Sequence, residues 1–246
     1  MLREQTFEKL HGMNLYGMAA AYEEYLRGPS PDELSFEERF GLLVERQWCW
    51  KEDRALARRL QSAGLTYRAC LEDIDYRHAR GLKRAHIEQL ADSQWIAQHR
   101  PCIITGATGL GKSYLACALA HKACRDGYSA LYFYQPKLAR QLTVAQLDGS
   151  LMRLLKKLAK ADLLVVDDWG LASLKSAQYR DFLEILEDRH DKGSILLTSQ
   201  FPPESWHDLI GDATVADAIL DRLVHSAYRI KLVGDESIRK TKASHQ

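Results

Sequence analysis

No uninterrupted apolar run in these 246 residues approaches the 18 that a membrane-spanning helix requires. Charged residues (Arg3, Glu4, Glu8, Lys9) are already mixed into the N-terminus. The sequence therefore predicts neither a membrane span nor a signal peptide, and a cytoplasmic location is expected. No C-x-x-C pair occurs among the five cysteines, Cys49, Cys70, Cys102, Cys117 and Cys124. An odd count without metal spacing argues against a disulfide framework and fits reduced thiols. Cys117 and Cys124 fall on an expected helix, as packing residues. Charge of one sign is not in excess. The formal net charge is +1, so no global basic field calls for nucleic acid, although a local cluster still can. Internal repeats and low-complexity tracts are absent, and before about position 100 there is no convincing strand.

What is present changes character near position 100. Leu10, Met13, Leu15, Met18 and Tyr22 lie near helical spacing, broken by Gly12 and Gly17. A polar turn is expected at Gly28-Pro-Ser-Pro31. Phe36, Phe40, Leu43, Val44 and Trp48 then recur at three- and four-residue steps, the stripe of an amphipathic helix running on to Leu60. Self-packing in a small helical domain is the simpler reading of this stripe, and a partner-docking face the sharper one. Beyond position 100, short apolar runs at Cys102–Thr105, Ala130–Tyr134, Leu163–Asp167, Ile195–Ser199 and Tyr228–Leu232 predict strands. Helices are expected between them at Lys112–Asp126, Pro136–Lys160 (broken near Gly149), Ala177–Asp191 and Ala216–Ser226. This alternation predicts an α/β fold, a parallel sheet sandwiched by helices. The expected domains are a helical N-terminal partner or oligomerisation domain at 1–70, a linker at 71–100, and the core at 101–246.

Gly106-Ala-Thr-Gly-Leu-Gly-Lys112-Ser113 matches G-x-x-x-x-G-K-[ST], with a strand entering it and a helix leaving it. Glycines let the backbone curl so that its N–H groups face phosphate oxygens, and the helix N-terminus adds partial positive charge. The expected ATP-binding residues are Gly106, Ala107, Thr108, Gly109, Leu110, Gly111, Lys112, Ser113 and Tyr114. Lys112 would reach the β- and γ-phosphates, and the Ser113 hydroxyl would coordinate Mg2+. A second signal is the buried-strand run Leu163-Leu-Val-Val that ends in Asp167 and Asp168. In such a fold the C-terminal strand ends face the nucleotide crevice. Asp167 would hold magnesium and Asp168 would polarise the attacking water.

Two further positions are weaker. Gln200, with Ser199 as second choice, ends the fourth strand and could hydrogen-bond the γ-phosphate or its water. Arg222 sits late on an amphipathic helix; on sequence alone a local pair with Asp217, Asp221 or another acid is favoured over a trans-acting role. Basic residues cluster twice. Lys137, Arg140, Arg153, Lys156, Lys157 and Lys160 give the stretch 136–160 a charge of +5 against the one acid Asp148. Such a cluster binds DNA without reading bases, or is a solvated helix face. Arg77, Arg80, Lys83 and Arg84 form the second cluster.

The phosphate loop with Tyr114-Leu-Ala-Cys-Ala-Leu-Ala, the stretch Leu-Leu-Val-Val-Asp-Asp-Trp-Gly170, Leu-Thr-Ser-Gln200 and Asp217-Ala-Ile-Leu-Asp-Arg-Leu-Val-His225 resembles the IstB-type helper ATPases of insertion-sequence transposition. These are AAA+ proteins related to the DnaC-type helicase loaders, and the resemblance covers nearly the whole chain. It implies an ATP-dependent homo-oligomer on double-stranded DNA that stimulates the transposase of its own element. It also implies that the acids and the fourth-strand residue lie beside the loop, and that Arg222 is a trans-acting finger. Asp168 stands where many relatives carry Glu, and Gln200 where many carry Asn, which bears on hydrolysis rate rather than on binding. Only 14 residues follow position 232, so no C-terminal helical lid is expected, with Arg239 as a conceivable substitute for a lid arginine. A replicative-helicase loader is the alternative function. A P-loop kinase is disfavoured by the double Asp that closes the metal strand.

Overall fold

The computed structural model describes residues 2–27, 34–77 and 80–234. The polar turn expected at 28–31 falls outside them, as does Arg239. The chain forms two compact units, Met1–Arg58 and Arg59–Gln246.

The first unit holds α1 (Leu2–Gly12), α2 (Tyr16–Arg27) and most of α3 (Phe36–Ala63). Asn14, at φ 60°, makes the left-handed turn between α1 and α2. A Cβ on Gly17 would lie 2.6 Å from the Trp50 Cβ and 2.7 Å from the Arg46 carbonyl, so α2 packs on α3 where only glycine fits. Ser35 and Glu38 close a capping box at the start of α3, each bonding the other's backbone N–H. The Phe36–Trp48 stripe is not consumed by packing within the unit. Phe36 is 71% exposed, Phe40 52% and Trp48 60%. The reason is rotational: α2 meets α3 on its Arg46, Gln47 and Trp50 side.

The second unit is the α/β core. Its strands are β1 (Cys102–Thr105), β2 (Ala130–Tyr134), β3 (Leu163–Trp169), β4 (Ser194–Ser199) and β5 (Tyr228–Lys231). They form one parallel sheet in the order β2-β3-β4-β1-β5. Its helices are α4 (Arg84–Ala91), α5 (Gln94–Ala97), α6 (Lys112–Arg125), α7 (Gln135–Leu147), α8 (Leu151–Lys160), α9 (Ser176–Arg189), α10 (Trp206–Ile210) and α11 (Ala213–Val224). The break between α7 and α8 falls at Gly149, where φ is 73°. The stretch 71–100, expected as a linker, instead carries α4 and α5. Their Ile87, Leu90, Trp95 and Ile96 are buried, and the Ser194 hydroxyl donates to the Trp95 carbonyl at 3.1 Å.

Strand side chains alternate between faces. Ile103, Leu131, Leu164, Val166, Ile195 and Leu197 enter a large core with residues of α7, α8, α9 and α11. The intervening residues, Tyr132 among them, face the side covered by α6, whose Cys117 and Ala118 are fully buried. At the N-terminal edge of the sheet, buried Arg189 fixes the ends of three elements. Its guanidinium donates to the carbonyls of Leu158, Ala161, Asp162 and Ser194. Burial pulls its pKa down to about 10, yet it remains charged at neutral pH. Removing it strands several buried carbonyls. Arg189→Ala should lower stability by about 3 kcal/mol, the scale of one or two hydrogen bonds to a charged group. Urea unfolding measures this, and a loss under about 1 kcal/mol would refute the structural role given to Arg189.

Candidate nucleotide site

Strand β1 lies between β4 and β5, with β2 and β3 beyond β4, so the connections leaving the sheet diverge at its C-terminal end. This switch point is where open α/β sheets bind ligands. The loop from β1 to α6 occupies it. Gly109 and Gly111 have φ of 88° and 86°, and Gly106 has φ 148°. A Cβ on Gly106 would lie 2.5 Å from the Leu232 carbonyl, so the loop begins pressed against the end of β5. Lys112 is buried, and its ammonium donates to the Ala107 carbonyl at 3.0 Å, laying its charge across the loop. Ser113 follows on the first turn of α6. Ala107 and Thr108 are exposed, whereas Leu110 is buried. The Tyr114 ring packs toward Tyr67, centroids 6.4 Å apart, on the far side of α6 from the sheet's other core.

The two acids are separated by a β-bulge. Val166 pairs with Leu197 and Trp169 with Ser199, so Asp167 and Asp168 together oppose the single residue Thr198. Asp167 keeps the parity of Leu163 and Val165 and stays on the α6 face. Asp168 is the extra residue, in the left-handed region at φ 58°. Without the bulge its carboxylate would enter the apolar core beside Val166. With it, Trp169 takes that place and packs against Tyr179, Phe182 and Trp206.

Thr198 organises this arrangement, and the sequence reading did not single it out. Its hydroxyl donates to one oxygen of Asp167 and accepts from the Asp168 backbone N–H at 2.9 Å. The Tyr132 phenol donates to the other Asp167 oxygen at 2.5 Å. Asp167 is only 3% exposed. Ser199, the second choice for sensor, is occupied structurally, donating to the Trp169 carbonyl at 2.7 Å and accepting from the Phe201 N–H. Gln200 stands half-buried just beyond β4. Alternation puts Thr198 on the face of Leu196, but only the register of β3 against β4 shows that it meets Asp167.

The second basic cluster dissolves into local structure. Arg77 forks onto Asp75, Arg84 bonds Glu88, and Arg80 is buried. Arg80 donates to the carbonyl of Leu110 at 2.9 Å and to that of Asp75 at 3.0 Å, so it supports the phosphate loop from behind. Of the first cluster, Lys137, Arg140, Arg153 and Lys157 line one groove between α7 and α8, with Val144 and Leu154. Lys156 and Lys160 are exposed but outside the groove lining. Arg222 is not brought to the loop. It lies late on α11, which leads to the start of β5 at the opposite edge of the sheet, and it pairs with Glu187. That is the local pair the sequence favoured, with a different acid.

The IstB-like ATP binding protein family matches residues 8–246. The chain belongs to this family. A Sinorhizobium fredii protein named as an insertion sequence ATP-binding protein is 49% identical over 98% of both chains. The ATP-binding protein of insertion sequence IS1162 from Pseudomonas fluorescens is 47% identical over 82% of this chain and 88% of its own. Among solved structures, DnaI superposes with a TM-score of 0.58 at 23% identity, over 72% of this chain and 94% of that one. Aquifex aeolicus DnaA bound to AMPPCP reaches 0.59 at 20% identity, over 74% and 57%. The IstB-like core thus has the AAA+ fold, and the protein is an ATP-binding helper of the insertion-sequence type. No helix among the described residues is long and apolar enough to cross a membrane.

Magnesium fits the donor set. Asp167 is a buried carboxylate that accepts from two neutral hydroxyls, those of Tyr132 and Thr198. Among the described residues, no three His, Cys, Asp or Glu side chains converge as a metal cluster. One carboxylate with phosphate oxygens and waters is how magnesium is usually held. Lys112→Ala should abolish tight ATP binding with the fold intact, read by fluorescence titration and circular dichroism. Wild-type affinity would remove the loop from the site. Asp168→Asn tolerates the left-handed backbone and should leave stability within about 0.5 kcal/mol, whereas Asp168→Glu should lose about 1 kcal/mol. Equal melting temperatures for the two would argue against the bulge geometry.

Proposed function

We propose that this IstB-like protein is a magnesium-dependent ATPase that assembles on double-stranded DNA and directs the transposase of its own element. Lys112 and the loop amides hold the triphosphate, Ser113 and Asp167 hold the metal, and Asp168 polarises the attacking water with Gln200 beside it. Magnesium, when bound, neutralises charge on the phosphate oxygens. The N-terminal helical unit, with Phe36, Phe40 and Trp48 exposed, is the docking face for the partner. A helicase-loader role would need the same core. Relatives at 49% and 47% identity are insertion-sequence proteins, which favours transposition.

The observation that carries the DNA part is the convergence of Lys137, Arg140, Arg153 and Lys157 on one groove. Four cations on one surface bind the phosphate backbone by releasing counterions, without reading bases. Lys137→Glu with Lys157→Glu should weaken binding equally for unrelated duplexes and flatten the slope of log K against log salt by about 2. Unchanged affinity and slope would leave the groove as solvated surface.

Arg222 completes the neighbouring subunit's site. Its own loop is at the other edge of the sheet, so any phosphate it meets belongs to another chain. The Glu187 pair that holds it is partly exposed on both sides, and such pairs contribute only about 0–1 kcal/mol, so a γ-phosphate can displace it. Arg222→Ala should bind ATP normally and fail to hydrolyse it. Mixed with Lys112→Ala, it should regain partial activity, since one intact loop then meets one intact arginine. A mixture that co-assembles on DNA and stays inactive counts against the trans role.

A further inference from the structure

We infer that Tyr132 is a positioning residue for the metal carboxylate, and that it links that carboxylate to the segment emerging from α3. The inference rests on the reading of Asp167 as the magnesium ligand. Tyr132 sits in the middle of β2, opposite Val165 of β3, one step diagonally from Asp167. It shares the α6 face with Asp167 because both keep the odd-even parity of their strands. Its hydroxyl donates to Asp167 at 2.5 Å, while Thr198 donates to the other carboxylate oxygen. The carboxylate is therefore clamped from both flanking strands, and its rotation about the Cβ–Cγ bond is fixed. Metal ligands held in this way keep their orientation, and loss of one outer partner typically costs 10–100-fold in metal affinity or activity.

A strand tyrosine on this face has no need of an acid for burial. Phenylalanine would fill the same space against Cys117 and Ala118. What the hydroxyl adds is the bond to Asp167. The segment that follows α3 lays Leu65, Tyr67, Ala69 and Leu71 onto α6 and Tyr132. The segment thus packs on the residue whose hydroxyl holds Asp167. The same segment continues to Arg80, which bonds the phosphate loop at Leu110. Movement of the connecting segment would reach the metal carboxylate through Tyr132.

The test uses the full-length protein and a fluorescent ATP analogue, titrated with Mg2+ at fixed nucleotide. In Tyr132→Phe the Mg2+ concentration at half-maximal binding should rise about 10-fold or more, while affinity without magnesium stays at the wild-type value. A merely structural role would lower affinity with and without magnesium alike. Asp167→Asn is the reference. If it shifts the midpoint and Tyr132→Phe does not, the positioning role is wrong and the metal reading stands. If Asp167→Asn also leaves the midpoint unchanged, the metal reading fails and the positioning role with it.

Discussion

A buried aspartate at the end of a strand must be satisfied locally, because a carboxylate at 3% exposure without partners would cost several kcal/mol. In this protein the demand falls on Asp167, and the answer is the Thr198 hydroxyl on one oxygen and the Tyr132 hydroxyl on the other. Much follows from that. Because Thr198 also receives the Asp168 N–H, one β4 residue serves two β3 residues, which is the bulge itself. The bulge resets side-chain parity, sends Trp169 into the apolar core, and leaves Asp168 at the rim on a left-handed backbone. Two acids adjacent in sequence thereby acquire different surroundings, one buried and clamped by two hydroxyls, the other half-buried on a left-handed backbone. Distinct roles for two carboxylates require that difference.

The identity of the second acid follows from the same constraint. Asp and Asn enter the left-handed region more readily than other side chains, since their short polar group can bond locally. The bulge therefore favours Asp at position 168 for a backbone reason, independent of the chemistry it performs. The apparent shortness of Asp relative to Glu is then part of how the strand ends here.

Much of this was legible in the residues. The strand runs and the phosphate loop are written in periodicity and glycine spacing, which act over a few residues and survive folding. The break at Gly149 is of the same kind. Three features were not legible. The 71–100 stretch reads as a polar connector because only five of its apolar side chains, Ile74, Ile87, Leu90, Trp95 and Ile96, are buried. Arg80 reads as one of four surface cations, and nothing local signals that it turns inward to the Leu110 carbonyl. Thr198 was hidden because polar residues end most strands; only the register of β3 against β4 reveals that it, rather than Ser199, meets the acid. Each miss concerns a contact between residues at least 30 positions apart, where spacing carries no information.

The two edges of the sheet divide the work. At the C-terminal edge the loop, Asp167 and Asp168 are gathered by contacts wholly within one chain. At the N-terminal edge Arg189 ties α8, α9 and β4 together with four carbonyls, giving α11 a rigid neighbour. Arg222 lies on α11 beside this rigid end, held by a bond to the Ala218 carbonyl and by the partly exposed pair with Glu187. A strong internal lock next to a weak external one is suited to a side chain that must change partners. Binding of nucleotide needs only the first edge. In the proposed function, hydrolysis needs the first edge of one subunit and the second edge of another, so the fold itself makes turnover a property of the assembly.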